Sequence, residues 1–435
     1  MGSARSSLSI FSQDMIVTLL SLVSSIFLAR WLGPEQLGLF FIVNLIPTYS
    51  EKFGRIGNFD HAGVYYIKTK RHSLSDVVSH LTLISFISSL VPIVLYAGFS
   101  DVFQTHVVKG SFLPKTYIWT AVATIPFMLL IISYNKIFMG EGQVFTFNVV
   151  QILRPSIMFA GAIMFYLLGW NYYGVVVAGT VATLATAIFS MLKMSNLAPL
   201  FRMTPDRTLV RDLLGYGGKI YFLTVINFIH LRIDLLFVAV YLDPVQVSYY
   251  GMATTIGQLL WKVPNALSVV LFPKVAAQKP EEAAAFTARV CSVAAFVLMA
   301  LSALMLAVSA PFIRIVYGAE YLPLMAPLLL ITPGIITMGV GRLLQEHFYG
   351  QGHPRGLVAG SVVTMLVNVG LNLWWIPSHG IKGAALASSL TYTVYMFWLI
   401  FEFKKRWGKG WKDLLVPSMT DVALIFTRLR EFVRI

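Results

Sequence analysis

The chain has 435 residues, of which 57% are hydrophobic and only 12% are charged, and its mean hydropathy is +0.74. A water-soluble protein of this length needs more polar surface, so the composition excludes a soluble globule and predicts an all-α membrane protein. The net charge of +14 does not indicate nucleic-acid binding, because the Lys and Arg residues lie in short loops rather than on one folded polar surface. The single cysteine, Cys291, excludes a disulfide framework and a thiolate metal site.

Apolar runs long enough to cross a membrane recur along the whole chain. A span needs roughly 20 apolar residues to cross a hydrocarbon core of about 30 Å. The first run is too long for a signal peptide and has no small-residue cleavage site after it, so we interpret it as a span. With turn residues as boundaries, we predict twelve helices, at residues 12–31, 37–59, 79–99, 117–139, 146–168, 173–194, 218–242, 248–274, 289–312, 322–345, 357–377 and 382–403.

The distribution of Lys and Arg predicts the orientation. With an even number of spans, both termini lie on one side, and that side collects about 23 Lys and Arg, against roughly five on the other. Such residues concentrate on the cytoplasmic side, so we expect a multi-pass protein of the inner (plasma) membrane with both termini in the cytoplasm. The outer loops are short, which leaves no room for an external catalytic domain.

Three pairs of short segments repeat at nearly the same separation. The first two pairs are 210 residues apart and the third is 209 apart: Leu32–Leu39 with Leu242–Tyr249, Phe138–Gly142 with Phe348–Gly352, and Tyr173–Ala178 with Lys382–Ala387. The separation covers six helices, an even number, so the two halves have the same orientation. We therefore expect two six-helix lobes around a central cleft, related by a pseudo-two-fold axis along the membrane normal.

This repeat sets the predicted domain boundaries. The N-terminal lobe is 1–195, a cytoplasmic linker is 196–217, the C-terminal lobe is 218–403 and a basic cytoplasmic tail is 404–435. The tail either anchors the last helix by its positive charge or forms a surface helix that binds anionic lipid head groups.

Charged residues inside predicted spans are candidates for function. A charge at the bilayer centre costs about 2.5–3.5 kcal/mol on insertion scales, so such residues usually face a cavity. The candidates are the cations Lys52, Arg55, Arg154, Arg232 and Lys262 and the acids Glu51, Asp60 and Asp234. Five cations against three acids favour a substrate that brings negative charge, and a diphosphate fits best.

The spacing of these residues leaves alternatives open. Glu51 and Arg55 share a helix face, so they form either an internal ion pair or a substrate-binding arginine oriented by an acid. Arg232 and Asp234 point in different directions, and Arg232 either binds phosphate in a bidentate manner or has a structural partner elsewhere. The acids either couple transport to an ion or form ordinary salt bridges.

The remaining charges are also ambiguous. Lys262, in a helix that Pro264 should kink, either faces the cavity or extends to the interface. Arg154 contacts either substrate or a neighbouring helix. Arg342 and Glu346 are interpreted as a gate or a structural pair. We expect no catalytic residues, no metal site and no cofactor.

Several motifs resemble a known family. They are Ala29–Glu35 after the first span, Arg232–Asp234 with Leu242–Gly251 around the seventh, and the late segment Gly380–Ala387. Together they resemble the polysaccharide biosynthesis (Wzx-type O-antigen) flippases of the multidrug/oligosaccharidyl-lipid/polysaccharide exporter superfamily. The resemblance implies transport of a polyprenyl-diphosphate-linked oligosaccharide from the cytoplasmic to the outer leaflet by alternating access of the two lobes.

The resemblance also implies partners and shows one departure. Besides the lipid-linked oligosaccharide, it implies membrane lipids and polysaccharide assembly proteins as partners, and a functional monomer. In the related lipid II flippases, cations on helices 1, 2, 7 and 8 meet the diphosphate. This chain has no charge in the middle of its first span. A cation of the second span therefore has to take over the contact with the diphosphate that a helix 1 cation makes in those flippases.

Two other functions compete with that of a flippase. A cation-coupled multidrug exporter of the same superfamily would prefer acids in its cavity, and the positive balance argues against it. A membrane glycan polymerase or glycosyltransferase needs a reactive constellation on a sizeable outer loop, and the longest such loop, 100–116, has Asp101 as its sole acid.

Overall fold

In the computed structural model, residues 2–55, 59–107, 114–201, 206–419 and 421 are described, and they contain helices but no strand. The α-helices are α1 (Gly2–Gly54), α2 (Phe59–Lys68), α3 (Leu74–Val107), α4 (Lys115–Val122), α5 (Ile125–Gly140), α6 (Val144–Leu167), α7 (Tyr172–Ser195), α8 (Arg207–Tyr241), α9 (Pro244–Gln258), α10 (Lys262–Ala277), α11 (Pro280–Phe312), α12 (Met325–Gly350), α13 (Arg355–Trp407) and α14 (Trp411–Leu415). Three short helical turns, Leu259–Trp261, Ile313–Tyr317 and Ala319–Leu324, connect some of them.

The described helices are long and apolar enough to make this a multi-pass membrane protein. Ten segments among the described residues qualify as membrane spans. Two of them contain a break: Gly33 in α1 has φ 67° and Gly380 in α13 has φ 58°, and each separates two helices that meet at a kink. Glycine tolerates this backbone conformation without a steric penalty. The breaks fall between predicted spans, at 31–37 and 377–382.

The contacts divide the chain into two compact units. Unit 1 comprises Met1–Phe228 and Ala239–Ser248, and unit 2 comprises Ile229–Val238 and Tyr249–Ile435. Helix α8 therefore contributes to both units. The predicted lobes with a linker at 196–217, and the axis that relates them, stay predictions.

The core of unit 1 surrounds α5. Tyr134, Ile137 and Phe138 are fully buried there, against side chains of α3 such as Val77. The Tyr134 hydroxyl lies 2.7 Å from Thr82 Oγ1, so the buried phenol has a polar partner. This packing holds α3 against α5 and thereby fixes the position of the α3 residues that line the cavities described below.

In unit 2, α12 and α13 pack at close range. A Cβ atom on Gly334 would lie 2.4 Å from the Ser389 Cα atom, so only glycine fits. The Gly334 backbone N–H donates to Ser389 Oγ at 2.9 Å. Small residues at such a contact allow van der Waals packing and hydrogen bonding between helices, which hold membrane helices together.

The repeated segments Phe138–Gly142 and Phe348–Gly352 have the same local structure. Gly142 and Gly352 have φ values of 72° and 73°. The backbone N–H groups of Gln143 and His353 donate to the carbonyls of Phe138 and Phe348, both at 2.8 Å. This pattern is a Schellman helix end, so the repeat found in the sequence corresponds to equivalent helix ends of the two units.

Helix α14 packs on α11. The Arg289 guanidinium donates to Asp421 Oδ1 at 2.5 and 2.6 Å, and the Ser418 hydroxyl donates to the other carboxylate oxygen at 2.7 Å. Residues 420 and 422–435 of the predicted basic tail lie outside the described residues.

Candidate functional site

The charged candidates of unit 1 begin near the end of α1. Lys52 Nζ lies 2.5 Å from Glu51 Oε1, and both side chains are half-buried. Adjacent residues of a helix do not normally face each other, so this ion pair depends on the long, flexible lysine side chain. Glu51 also lies within electrostatic range of Arg154 on α6. Of the predicted residues, Glu51 and Lys52 are therefore in direct contact, and Arg154 interacts with Glu51 only through its charge.

Arg55 follows the end of α1 and is not helical. The sequence predicted a helix to residue 59, but α1 ends at Gly54. Arg55 lines a small cavity of about 20 Å³ whose other walls include Ser85, Ser88 and Ser133. A cavity of this size holds about one water molecule. The prediction that Glu51 and Arg55 share one helix face assumed that both are helical. The backbone of Arg55 lies beyond the end of α1.

Arg154 lines a second cavity in unit 1. The cavity has a volume of about 40 Å³ and includes Asn44, Pro47 and Thr124 among its walls. Arg154 Nη2 lies 3.8 Å from Met128 Sδ, a weak acceptor. The guanidinium thus faces a partly polar space inside the unit.

In unit 2, Arg232 and Asp234 have separate hydrogen-bond partners, as their spacing predicted. Arg232 Nη2 donates to Gln258 Oε1 at 3.0 Å. Asp234 is 4% exposed and accepts hydrogen bonds from the Tyr250 hydroxyl at 2.5 Å, the Ser388 hydroxyl at 2.9 Å and the Leu235 N–H at 2.7 Å. The two charges remain within electrostatic range of each other.

Arg342 joins this group, which sequence reasoning did not predict. Its guanidinium lies 4.0 Å from the centre of the Trp261 ring and donates to Asn265 Oδ1 at 2.9 Å. It is also within electrostatic range of Arg232. Both guanidinium groups therefore contact the segment 258–265, and the carboxylate of Asp234 offsets part of the Arg232 charge. The predicted pairing with Glu346 does not account for these contacts.

Lys262 is the first residue of α10 and its side chain is exposed. The 3₁₀ turn Leu259–Trp261 separates α9 from α10 just before Pro264. Proline lacks an N–H group and its ring clashes with the carbonyl four residues earlier, here that of Leu260, so the predicted distortion is present and has a physical cause.

Two further observations concern titratable groups. His230 is buried between the rings of Tyr392 and Tyr395, with centroids at 5.3 and 5.6 Å, and its ring nitrogens have no hydrogen-bond partner among the described residues. The Asp60 side chain lies outside the described residues.

Among the residues that are described, no three His, Cys, Asp or Glu side chains are grouped to hold a metal ion.

The neutral hydrogen-bond partners of Arg232 and Asp234 were not predicted from the sequence. They are Gln258, Tyr250 and Ser388. Ser388 is 154 residues from Asp234, so no local pattern connects them. The weak signal that was available is a Tyr, Gln or Ser inside an otherwise apolar run, because a buried polar group needs a partner.

The comparisons with known proteins agree on a transporter fold. The chain is 23% identical, over 91% of its length and 82% of the relative's, to the probable low-salt glycan biosynthesis flippase Agl15 of Haloferax volcanii. Its structure is similar to that of lipid II flippase MurJ in an inward closed conformation, with a TM-score of 0.78, 16% identity, and coverage of 98% of this chain and 92% of that chain. It is equally similar to an inward-facing multidrug resistance MATE family transporter of the MOP superfamily, with a TM-score of 0.78, 17% identity, and coverage of 90% and 94%.

A family model assigns the chain more specifically. The model described as polysaccharide biosynthesis protein matches residues 27–326, which is more than half of the chain. The matched range includes Glu51, Arg154, Arg232, Asp234 and Lys262. The chain therefore belongs to the polysaccharide biosynthesis protein family.

Proposed function

We propose that this protein is a flippase that moves a polyprenyl-diphosphate-linked oligosaccharide from the cytoplasmic to the outer leaflet by alternating access. The observation that carries the proposal is that the guanidinium groups of Arg232 and Arg342 both contact the segment 258–265, within the membrane-spanning helices of unit 2. Family membership and the similarity to a glycan biosynthesis flippase support a glycan-linked lipid as the substrate. A diphosphate supplies negative charge that these two guanidinium groups can bind.

The residues have distinct roles in this proposal. Arg232 and Arg342 bind the phosphate groups, and Gln258 and Asn265 hold their guanidinium groups in place. Lys52, Arg55, Arg154 and Lys262 supply further positive charge along the path. Glu51, Asp60 and Asp234 are the candidates for ion coupling.

The test is transport by the purified protein in proteoliposomes. We expect Arg232→Ala and Arg342→Ala to reduce translocation of a polyprenyl-diphosphate oligosaccharide at least tenfold, since a charged hydrogen bond contributes about 1.5–3 kcal/mol. The matched control is Arg314→Ala, which removes an exposed arginine of unit 2. Wild-type rates in both variants would contradict the proposal. Arg232→Lys separates charge from geometry, because lysine cannot bind phosphate in a bidentate manner.

A cation-coupled multidrug exporter is the second candidate. The buried carboxylate of Asp234 favours it, because such a group is suited to bind a proton or a cation. Export of a lipophilic cation, measured in the same proteoliposomes without any lipid-linked glycan, would support this function. The flippase proposal expects no such export.

The proposal extends to location and assembly. The excess of Lys and Arg on one side of the predicted spans supports an inner-membrane protein with both termini in the cytoplasm. We expect the protein to act as a monomer beside polysaccharide assembly proteins, and to transfer no glycosyl group itself. Glycosyl transfer by the purified protein would contradict that expectation.

A further inference from the structure

An apolar groove lies in unit 1, between α1 and α3. Its volume is about 510 Å³, within the range of small-molecule binding sites. The walls are aromatic and aliphatic side chains, including Tyr49, Phe53, Leu95, Phe99, Val102 and Phe103. From Pro92 to Phe103 the groove follows α3 for about 16 Å, at 1.5 Å per residue.

Exposed apolar side chains are normal on a membrane protein, so exposure alone does not indicate a ligand. The position of the groove beside Arg55 is more informative. On α3, Ser88 lines the Arg55 cavity and Pro92, one helical turn later, lines the groove. A polar cavity with a guanidinium group and an apolar groove therefore follow each other along one helix.

Helix α1 shows the same succession. Phe53 lines the groove, Arg55 lines the polar cavity, and Gly54 lies between them. A Cβ atom on Gly54 would lie 3.6 Å from Pro92 Cγ and 3.8 Å from the Ser88 carbonyl oxygen. The end of α1 and the middle of α3 thus approach each other at the point where the polar cavity changes to the apolar groove.

We propose that this groove binds the polyprenyl chain of the transported lipid while its diphosphate is beside the Arg55 guanidinium, one of the positive charges along the path, before it reaches Arg232 and Arg342. The inference rests on the proposed function and adds a site for the apolar part of the substrate. A ligand with an anionic head and a long apolar chain matches this order of charge and apolar surface. An ordinary phospholipid is the competing occupant, and the experiment distinguishes the two.

The experiment measures binding to the purified full-length protein in nanodiscs, with undecaprenyl diphosphate and isopentenyl diphosphate as probes. Leu95→Trp fills the groove, and we expect it to weaken binding of undecaprenyl diphosphate about tenfold. Binding of isopentenyl diphosphate should stay unchanged, because its short chain does not need the groove. The matched control is Val94→Trp, at a neighbouring α3 residue that is 65% exposed and does not line the groove.

The outcomes separate this inference from the proposed function. If the wild type does not bind undecaprenyl diphosphate, both proposals fail. If the wild type binds it and Leu95→Trp behaves like Val94→Trp, the groove proposal fails and the flippase proposal stands. Equal competition by phosphatidylglycerol would assign the groove to bulk lipid and overturn the inference.

A second measurement does not depend on the folding of a variant. A photoreactive polyprenyl diphosphate, bound to the wild-type protein, should cross-link to residues 92–103 of α3 or 49–53 of α1. Excess unlabelled undecaprenyl diphosphate should suppress the cross-link. Cross-links that map only outside the groove walls of α1 and α3 would overturn the inference.

Discussion

The Tyr250 hydroxyl lies 2.5 Å from Asp234 Oδ2, within the membrane-spanning part of unit 2. The same oxygen accepts a hydrogen bond from Ser388 at 2.9 Å. A buried carboxylate needs such donors, because its charge is costly to remove from water. We expect Tyr250→Phe to lower the free energy of unfolding by about 1–3 kcal/mol.

Thermal unfolding of the purified protein in detergent measures this effect. The control is Tyr249→Phe, which removes a hydroxyl that donates to the Glu320 carbonyl at an exposed site. Its loss should cost less, because water replaces the partner. Equal destabilisation by the two variants would contradict a special role for the Tyr250 hydroxyl.

Asp234→Asn tests ion coupling at the same place. The amide keeps the shape of the carboxylate but removes the charge that binds a proton or a cation. We expect translocation to lose its response to an imposed proton or sodium gradient while substrate binding persists. Proteoliposomes with controlled gradients measure this response. An unchanged response would leave Asp234 with a structural role only.

The contact between Asp421 and Arg289 predicts a pH dependence of α14. The hydrogen bond from Ser418, and then Arg289, hold the pKa of the Asp421 carboxyl below its ordinary value of 3.8. A carboxyl with a lowered folded pKa stabilises the folded state above its unfolded pKa, and this contribution is lost as the pH falls through the folded pKa. We therefore expect α14 to stay packed on α11 at neutral pH and to loosen only below about pH 4.

Hydrogen exchange of residues 411–415 measures this loosening, after correction for the intrinsic pH dependence of exchange. Asp421→Asn removes the titrating group, so α14 should already exchange faster at neutral pH. Protection that is insensitive to pH in the wild type and to the substitution would disprove the role of this contact.

The sequence predicted features that depend on local chemistry. The breaks near Gly33 and Gly380 were predicted because glycine and proline interrupt apolar runs there, and the distortion before Pro264 follows from its missing N–H group. The repeat was visible because equivalent helix ends need the same residues at the same spacing. Such signals lie within a few residues of each other.

The candidate site was predicted less completely, because its contacts are long-range. Arg232 and Asp234 were predicted as site residues because a charge inside the bilayer is energetically costly. Their partners Gln258 and Ser388, however, are 26 and 154 residues away in the sequence. Arg342 was paired with Glu346 because of helical spacing, whereas its contacts are with Trp261 and Asn265. The partner of each charged side chain is determined by the packing of helices that are distant in sequence, and this packing leaves no local pattern in a single sequence.

Gly38 is the site of a close backbone contact in unit 1. A Cβ atom there would lie 1.7 Å from the Pro244 carbonyl oxygen, and backbone atoms cannot move aside as a flexible side chain can. We expect Gly38→Ala to destabilise the protein by about 3 kcal/mol or more. The control, Gly98→Ala, places a methyl group in open space inside α3 and should change stability by about 1 kcal/mol or less, in the stabilising direction. Similar thermal unfolding of the two variants would contradict the close contact.

Gly142 and Gly352 provide a test of the internal repeat. Both glycines have a left-handed backbone conformation, and an added Cβ atom on either one would have no neighbouring atom within 4 Å. Backbone strain alone therefore determines the effect of alanine. An L-residue in this conformation costs about 1–2 kcal/mol. We therefore expect Gly142→Ala and Gly352→Ala to lower the free energy of unfolding by similar amounts, measured by chemical or thermal denaturation. Gly179→Ala, also in open space but within α7, should not be destabilising. A large difference between the first two variants would show that the two helix ends are not equivalent, although their hydrogen bonds match.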